Sequence, residues 1–454
     1  MVESCFMVES HSKRVARSLP RAQPSSRRKP SCARKRLRGP WSARIARAAR
    51  ARYDVTMPPH DDSGDGAPAA APPFAQLVTT LRARPQPRRP RRRAGASADV
   101  EPAAPPSIDV QLDRAEICSR SGRIDEAIDI CNALRPSLVA AGEPQSIGWC
   151  DFVLSLSHLN AGRAKEAVIA GYRATAKLAP GARLLRGLTV LASAVARTGD
   201  AAGALELLER AKQLLPLVQS PHHRCLFWIN SGSTFHALGD MEQAVKHSLL
   251  AEGLLAEFED PYLHAAVKMN LLVQRLILAV AGCHGVETPE LAELLAASAA
   301  QVERMVAAGQ HYSVAKGSED IADAYIALGQ HEKAREALQI GVKSADAAKA
   351  GPDRGILELR LGRIERLAGQ YRRAQAHIGL ALELLAESAL LKELAEAHLE
   401  NSLLNEERQH WRAALDSYRQ SAQIRERLLI AQSDARAHAL EVRLELVRAR
   451  VDDV

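Results

Sequence analysis

Cys283 and His284 stand side by side, and a thiol next to an imidazole is the first pairing in this chain that could hold a metal. Adjacent residues make a poor chelate, and no second Cys/His pair lies at zinc spacing. The run His331-Glu332-Lys333-Ala334-Arg335 begins as a zinc-hydrolase helix would, but it lacks the second histidine that must share its face. His222-His223 opens a helical stretch, where a solvated cap accounts for both rings. No G-x4-G-K-[ST] phosphate loop, G-x-G-x-x-G fingerprint or G-x-S-x-G elbow occurs. These absences imply a chain with no catalytic centre, cofactor site or metal site of its own.

What remains is an element that repeats. A Gly followed five residues later by Ala occurs at 122/127, 162/167, 199/204, 239/244, 329/334 and 369/374, and Gln409/Ala414 continues the series. Successive glycines are 40, 37, 40, 90 and 40 residues apart, so the long gap hides one eroded unit over about Tyr262–Met305 and the total is eight. The logic is the same each time. A helix ends at a glycine that accepts a turn, a second helix follows within three or four residues, and the small Ala lies where the two helices cross. Gly282 to Pro289 leaves open whether the fifth unit is a helix pair or an irregular insertion.

The fullest copy reads Trp228-Ile229-Asn230-Ser231-Gly232-Ser233-Thr234-Phe235-His236-Ala237-Leu238-Gly239, then Ala244, Ser248 and Ala251. It resembles the tetratricopeptide family's W-x2-L-G-x2-Y…G-x4-A-x3-F pattern, departing at Ser231 and Ser248. Other copies keep Ala204 with Leu208, Tyr325 with Gly329, Leu361-Gly362, and Trp411 with Ala414 and Tyr418. The resemblance implies an all-α superhelical solenoid over 107–427 whose first helices line a concave groove. Counted from each turn, the groove candidates are Trp149, Phe152, Ser233, His236, Lys316, Glu319, Asp323, Arg363 and Arg366. That set could hold a peptide, a protein segment or a small ligand, and a solvated face carries the same residue types.

Residues 421–454 contain no Gly or Pro and read as one helix, with Ala437, Leu440, Leu444, Val447 and Val451 spaced alternately by three and four. Taken as a terminal segment, 428–454, it either docks on the final repeat or pairs with its twin as the stalk of a homodimer. The string from Ser433 to Glu445, following His410-Trp411-Arg412-Ala413-Ala414-Leu415, resembles the end of the sensory half of bacterial tetratricopeptide diguanylate cyclases. In that family the helix runs into a GGDEF domain. This chain has no Gly-Gly dipeptide, so the resemblance implies either a stand-alone sensor or a regulatory half whose cyclase domain is lost or encoded downstream.

Composition sets the outer limits. Of 454 residues 46% are hydrophobic but only 4% aromatic, so the core must be built mostly from Ala and Leu, which favours packed helices. Residues 1–100 hold 22 Lys and Arg against 7 Asp and Glu, a net of +15, and the remainder is net −7. The basic, Pro-rich segment 1–106 reads as a disordered tail. A transit peptide and a nucleic-acid or membrane arm are alternatives, while Met57 offers a bacterial start that would make 1–56 spurious. The net-acidic remainder argues against nucleic acid as the partner. Seven cysteines without a C-x-x-C pair read as reduced thiols, and no apolar run reaches the ~18 residues of a membrane span, so a cytoplasmic protein is expected.

Overall fold

The turn glycines close helices that only a left-handed backbone can end. The computed structural model describes residues 107–283 and 285–452, and in it Gly122, Gly162, Gly199, Gly239, Gly329 and Gly369 all have φ between 73° and 86°. At Gly239 the backbone N–H donates to His236 O at 2.9 Å and that of Asp240 to Phe235 O at 3.0 Å, which satisfies the last carbonyls of the helix. The Asp240 carboxylate then accepts from the Gln243 N–H at 3.2 Å and starts the next helix, as Asp200 does for Gly203 at 2.9 Å. Gln409 takes φ 62° and makes the same turn without glycine's freedom.

Sixteen α-helices result among the described residues, arranged as eight antiparallel pairs, with short 3-10 turns at Leu215–Leu217 and Leu255–Glu257. They are α1 (Ile108–Arg120) with α2 (Ile124–Ala141), α3 (Pro144–Asn160) with α4 (Ala164–Lys177), and α5 (Ala182–Arg197) with α6 (Ala201–Lys212). Next come α7 (Pro221–Leu238) with α8 (Met241–Glu252), then α9 (Pro261–Gly282) with α10 (Pro289–Ala307). The last three pairs are α11 (His311–Ala327) with α12 (His331–Ala348), α13 (Gly351–Leu367) with α14 (Tyr371–Ala386), and α15 (Leu391–Glu407) with α16 (Trp411–Asp452). The fifth unit is thus a complete helix pair. The tail, 1–106, and His284 lie outside the described residues.

The crossing alanines behave as their size requires. Ala127, Ala167, Ala204, Ala244, Ala334 and Ala374 are fully buried, and Ala414 nearly so. Gly232 shares the crossing: a Cβ there would lie 2.9 Å from Ser248 Oγ and 3.1 Å from Ala244 O. Replacing Ala374 with leucine is expected to cost about 1–3 kcal/mol through overpacking. The same change at exposed Arg372 should leave the urea midpoint nearly unmoved, and equal midpoints for the two variants would show that the crossing tolerates bulk.

α9 has 22 residues and contains an 18-residue window of mean hydropathy 1.4, so by length and composition it is long and apolar enough to span a bilayer, contrary to the expectation from sequence. A third of that window is buried, and Leu263, Val267, Leu271 and Leu276 pack against the helices on either side. Cys118, Cys131, Cys150 and Cys225 are likewise buried free thiols, and Cys283 is partly so.

The array turns back on itself. Tyr262 Oη on α9 donates to Arg120 O at the end of α1, 2.8 Å away. A Cβ placed on Gly122 would come within 2.6 Å of the Tyr312 ring of α11, and one on Gly162 within 2.7 Å of Leu390, just before α15. Gly199 lies under the Arg436 guanidinium of α16, whose Nε donates to Thr198 O at 2.6 Å. The first three turns therefore rest on side chains from the second half of the chain. The turns at Gly239, Gly329 and Gly369 meet nothing within 4 Å.

α16 makes the last of these contacts. It runs unbroken for 42 residues, so no change of structure marks position 428. Its first half pairs with α15, and its second half docks on α4 rather than on the final repeat alone. Ala435 is buried, Ala439 and Val442 pack on the core of the first units, and Lys165–Asp434 (3.5 Å) and Arg443–Glu206 (2.6 Å) flank them. Ala437, Leu440 and Leu444 are exposed, while the side chains of Val447 and Val451 lie outside the described residues.

Candidate functional site

The returning array lines a half-open chamber of about 1100 Å³, walled by the turns at Gly122 and Asn160 to Arg163, by α5, α7, α9, α11 and α15, and by the approach to α13. Of the groove candidates, Ser233, His236, Lys316 and Glu319 come together on its wall. Ser233 Oγ donates to Ile229 O at 3.0 Å within its own helix and lies 3.5 Å from Asn270 Nδ2 on α9. Burial, reinforced by Arg197 and Lys392, lowers the His236 pKa and keeps its ring neutral. Lys316 Nζ meets Asp353 Oδ1 at 2.5 Å and lies over the Tyr312 ring. Burial opposes that charge, but Tyr312 and Asp353 outweigh it and the lysine pKa rises.

Beside Lys316 the wall is acidic. Arg360 of α13 serves Glu319 at 3.1 Å, Asp323 at 3.0 Å and Glu396 of α15 at 3.2 Å, so one guanidinium is shared among three carboxylates. Asp320 has no ion-pair partner among the described residues. Burial first, and then the neighbouring carboxylates Glu319 and Asp323, push its pKa up to about 8. Burial also raises Glu319, to about 7, against the pull of Arg360, and Asp323 moves in the same direction. Asp323 and Arg363 adjoin this cluster outside the chamber wall, with Arg363 Nε 3.4 Å from Glu400.

Three candidates are placed elsewhere. Trp149 and Phe152 belong to the core: their rings stack at 4.3 Å and both are buried. Arg186 of α5 covers both rings and pairs with Glu116 of α1, so the cation occupies the position expected of the aromatics. Arg366 is buried between Glu400 (2.9 Å) and Glu407 (2.5 Å), where it ties α13 to α15.

Sequence reasoning missed Asp320, Tyr312, Gln274 and Arg197. Gln274 is 1% exposed with its Oε1 unpartnered, and Tyr312 is 9% exposed with its hydroxyl unpartnered, yet both border the chamber. Among the described residues Arg197 donates only to Leu159 O, at 3.4 Å, and burial lowers its pKa. The Glu319-Asp320-x-x-Asp323 run was the visible signal. On a helix it looks like an ordinary solvated face.

Together these features define an all-α, tetratricopeptide-like helical solenoid with a half-open chamber of mixed polar and apolar lining. Residues 319–343, which include the acidic wall and its turn, match the family model described as tetratricopeptide repeat. No curated protein sequence matches the chain. Among solved structures, similarity extends to a Rap protein complexed with competence and sporulation factor (12% identity, 75% of this chain and 98% of that one, TM-score 0.49). It extends also to a STAND protein with a tetratricopeptide repeat sensor from Pyrococcus horikoshii (10%, 72% and 49%, 0.48). A third is the apo form of the quorum sensor NprR from B. thuringiensis (13%, 76% and 81%, 0.39).

Proposed function

We propose that this protein is a non-catalytic cytoplasmic regulator that holds a short peptide in the central chamber. The size of the cavity and its mixed polar and charged lining carry the reading. Ser233, Asn270, Lys316 and Glu319 line the cavity and offer polar and charged groups to a peptide. The volume, about 1100 Å³, lies just above the ~300–1,000 Å³ typical of small-molecule pockets and leaves room for a short peptide. Incubating the full-length protein with an unbiased hexapeptide pool should retain a defined subset, and Ser233→Trp, which fills the wall, should release it. Equal retention by both proteins would sink the reading.

The outward stripe on α16 supplies a route for output. Trp411, Leu415, Tyr418, Leu429, Leu440 and Leu444 are all exposed along one helix, turned away from the docked Ala435 and Ala439. Two copies joined along this stripe bury it, and they share a helix that also touches the chamber's closing contacts. Sedimentation of the full chain is expected to show a dimer that Leu440→Asp with Leu444→Asp converts to monomer. A wild-type monomer at tens of micromolar would exclude this arrangement. Nothing in the chamber's chemistry favours a diguanylate cyclase over another output.

A further inference from the structure

The lining also narrows the chemistry of the occupant, an inference that rests on the peptide reading above. We infer that the bound peptide sets a carboxylate, from its C-terminus or from an acidic side chain, against Arg197. This residue ends α5, lines the chamber and remains exposed there. A guanidinium carries five N–H donors in a fork that fits a carboxylate. Among the described residues Arg197 uses them once, on Leu159 O at 3.4 Å, and that carbonyl already accepts the Gly162 N–H at 3.2 Å. The contact is therefore not needed to close α3.

Two other cations of the lining are already committed. Arg163 is paired with Asp125 at 3.7 Å and Lys316 with Asp353 at 2.5 Å. Lys349, exposed just past α12, also has no ion pair among the described residues. What sets Arg197 apart is its company. Burial, and then Arg197 and Lys392 of α15, keep the His236 ring of α7 neutral, so positive charge from two helices converges on an imidazole from a third. No carboxylate forms an ion pair with Arg197, Lys392 or His236 among the described residues. Glu393 of α15 and the Tyr312 phenol of α11 bear on Arg197 only from longer range, and burial lowers its pKa, as befits a cation short of a counter-charge. An incoming carboxylate supplies that charge, and its two oxygens engage the fork in the strongest form such a pair takes.

The test uses the full chain and three hexapeptide pools labelled at the N-terminus with tetramethylrhodamine. One pool lacks Asp and Glu and ends in a carboxylate, the second is the same pool ending in an amide, and the third is amidated with one fixed glutamate. Fluorescence polarisation at pH 7 is expected to show the carboxylate-free pool binding about tenfold more weakly than the better of the other two, as a charge-assisted contact requires. Which of those two is better tells a terminal carboxylate from a side chain. Arg197→Gln should bring all three pools within about twofold of one another, with circular dichroism confirming an unchanged fold. Arg197→Lys supplies a second variant should Arg197→Gln misfold; it keeps the charge without the fork and should lower the preference to about threefold. Equal affinity of the three pools for the wild-type protein, or an undiminished preference in the folded variant, overturns the inference and leaves the peptide reading standing. Failure of these pools and of an unbiased pool to bind overturns both.

Discussion

Gly122→Ala is expected to destabilise the protein by about 2–4 kcal/mol, and Gly329→Ala by about 1 kcal/mol, although both residues occupy the same turn with φ of 86° and 73°. The shared part is the left-handed backbone, which costs a residue with a Cβ roughly 1 kcal/mol. The difference comes from what surrounds each turn. At Gly329 a Cβ meets open space, whereas at Gly122 it meets the Tyr312 ring at 2.6 Å. That ring is held by its own burial and by Lys316, so it has little room to retreat. Gly162→Ala, opposed by Leu390, should fall near the Gly122 variant, and Gly239→Ala near the Gly329 variant. Urea midpoints of the four proteins measure this directly. Four equal losses would mean that the first turns do not rest on the second half of the chain.

The second large effect is one of pH. Asp320 and Glu319 keep their protons to about pH 8 and about pH 7 in the folded protein, well above the ordinary carboxylate range of the unfolded chain. The folded state therefore binds more protons than the unfolded state across that interval. Stability is fully present below the unfolded values and is lost as pH rises through 7 and 8. Asn at position 320 cannot ionise, so Asp320→Asn should match the wild type near pH 4 and exceed it by about 1–3 kcal/mol near pH 8.5, a figure discounted for the water that still reaches the chamber. Thermal melts at the two pH values decide the matter. A variant that is less stable at pH 8.5 would show that Asp320 is neutralised by a partner in the protein.

The two halves of this molecule differ in how far they can be read from sequence. The eight units were legible because each rests on local requirements: a left-handed residue at Gly239, a small residue at Ala244, a capping carboxylate at Asp240. The eroded fifth unit was the exception, since Gly282 to Pro289 left a helix pair and an irregular insertion both open, and the structure shows the pair. The chamber was less legible. Tyr262 and Arg120 are 142 residues apart, and Arg436 and Thr198 are 238 apart, with no periodicity linking them. Trp149 and Phe152 were placed one layer too far out because helical spacing gives the face of α3 but not the Arg186 that covers it. Asp320 was overlooked for the converse reason, as nothing in a charged helical face says that another helix lies opposite.

An open array of repeats can gain or lose a unit by gene duplication or deletion, because each unit touches only its neighbours. This array has no such freedom. Tyr312 meets Gly122, Leu390 meets Gly162 and Arg436 meets Thr198 only when the intervening number of units is what it is. Insertion or removal of a single ~40-residue unit would leave all three contacts out of register at once. The three contacts therefore tie the fold to this number of repeats.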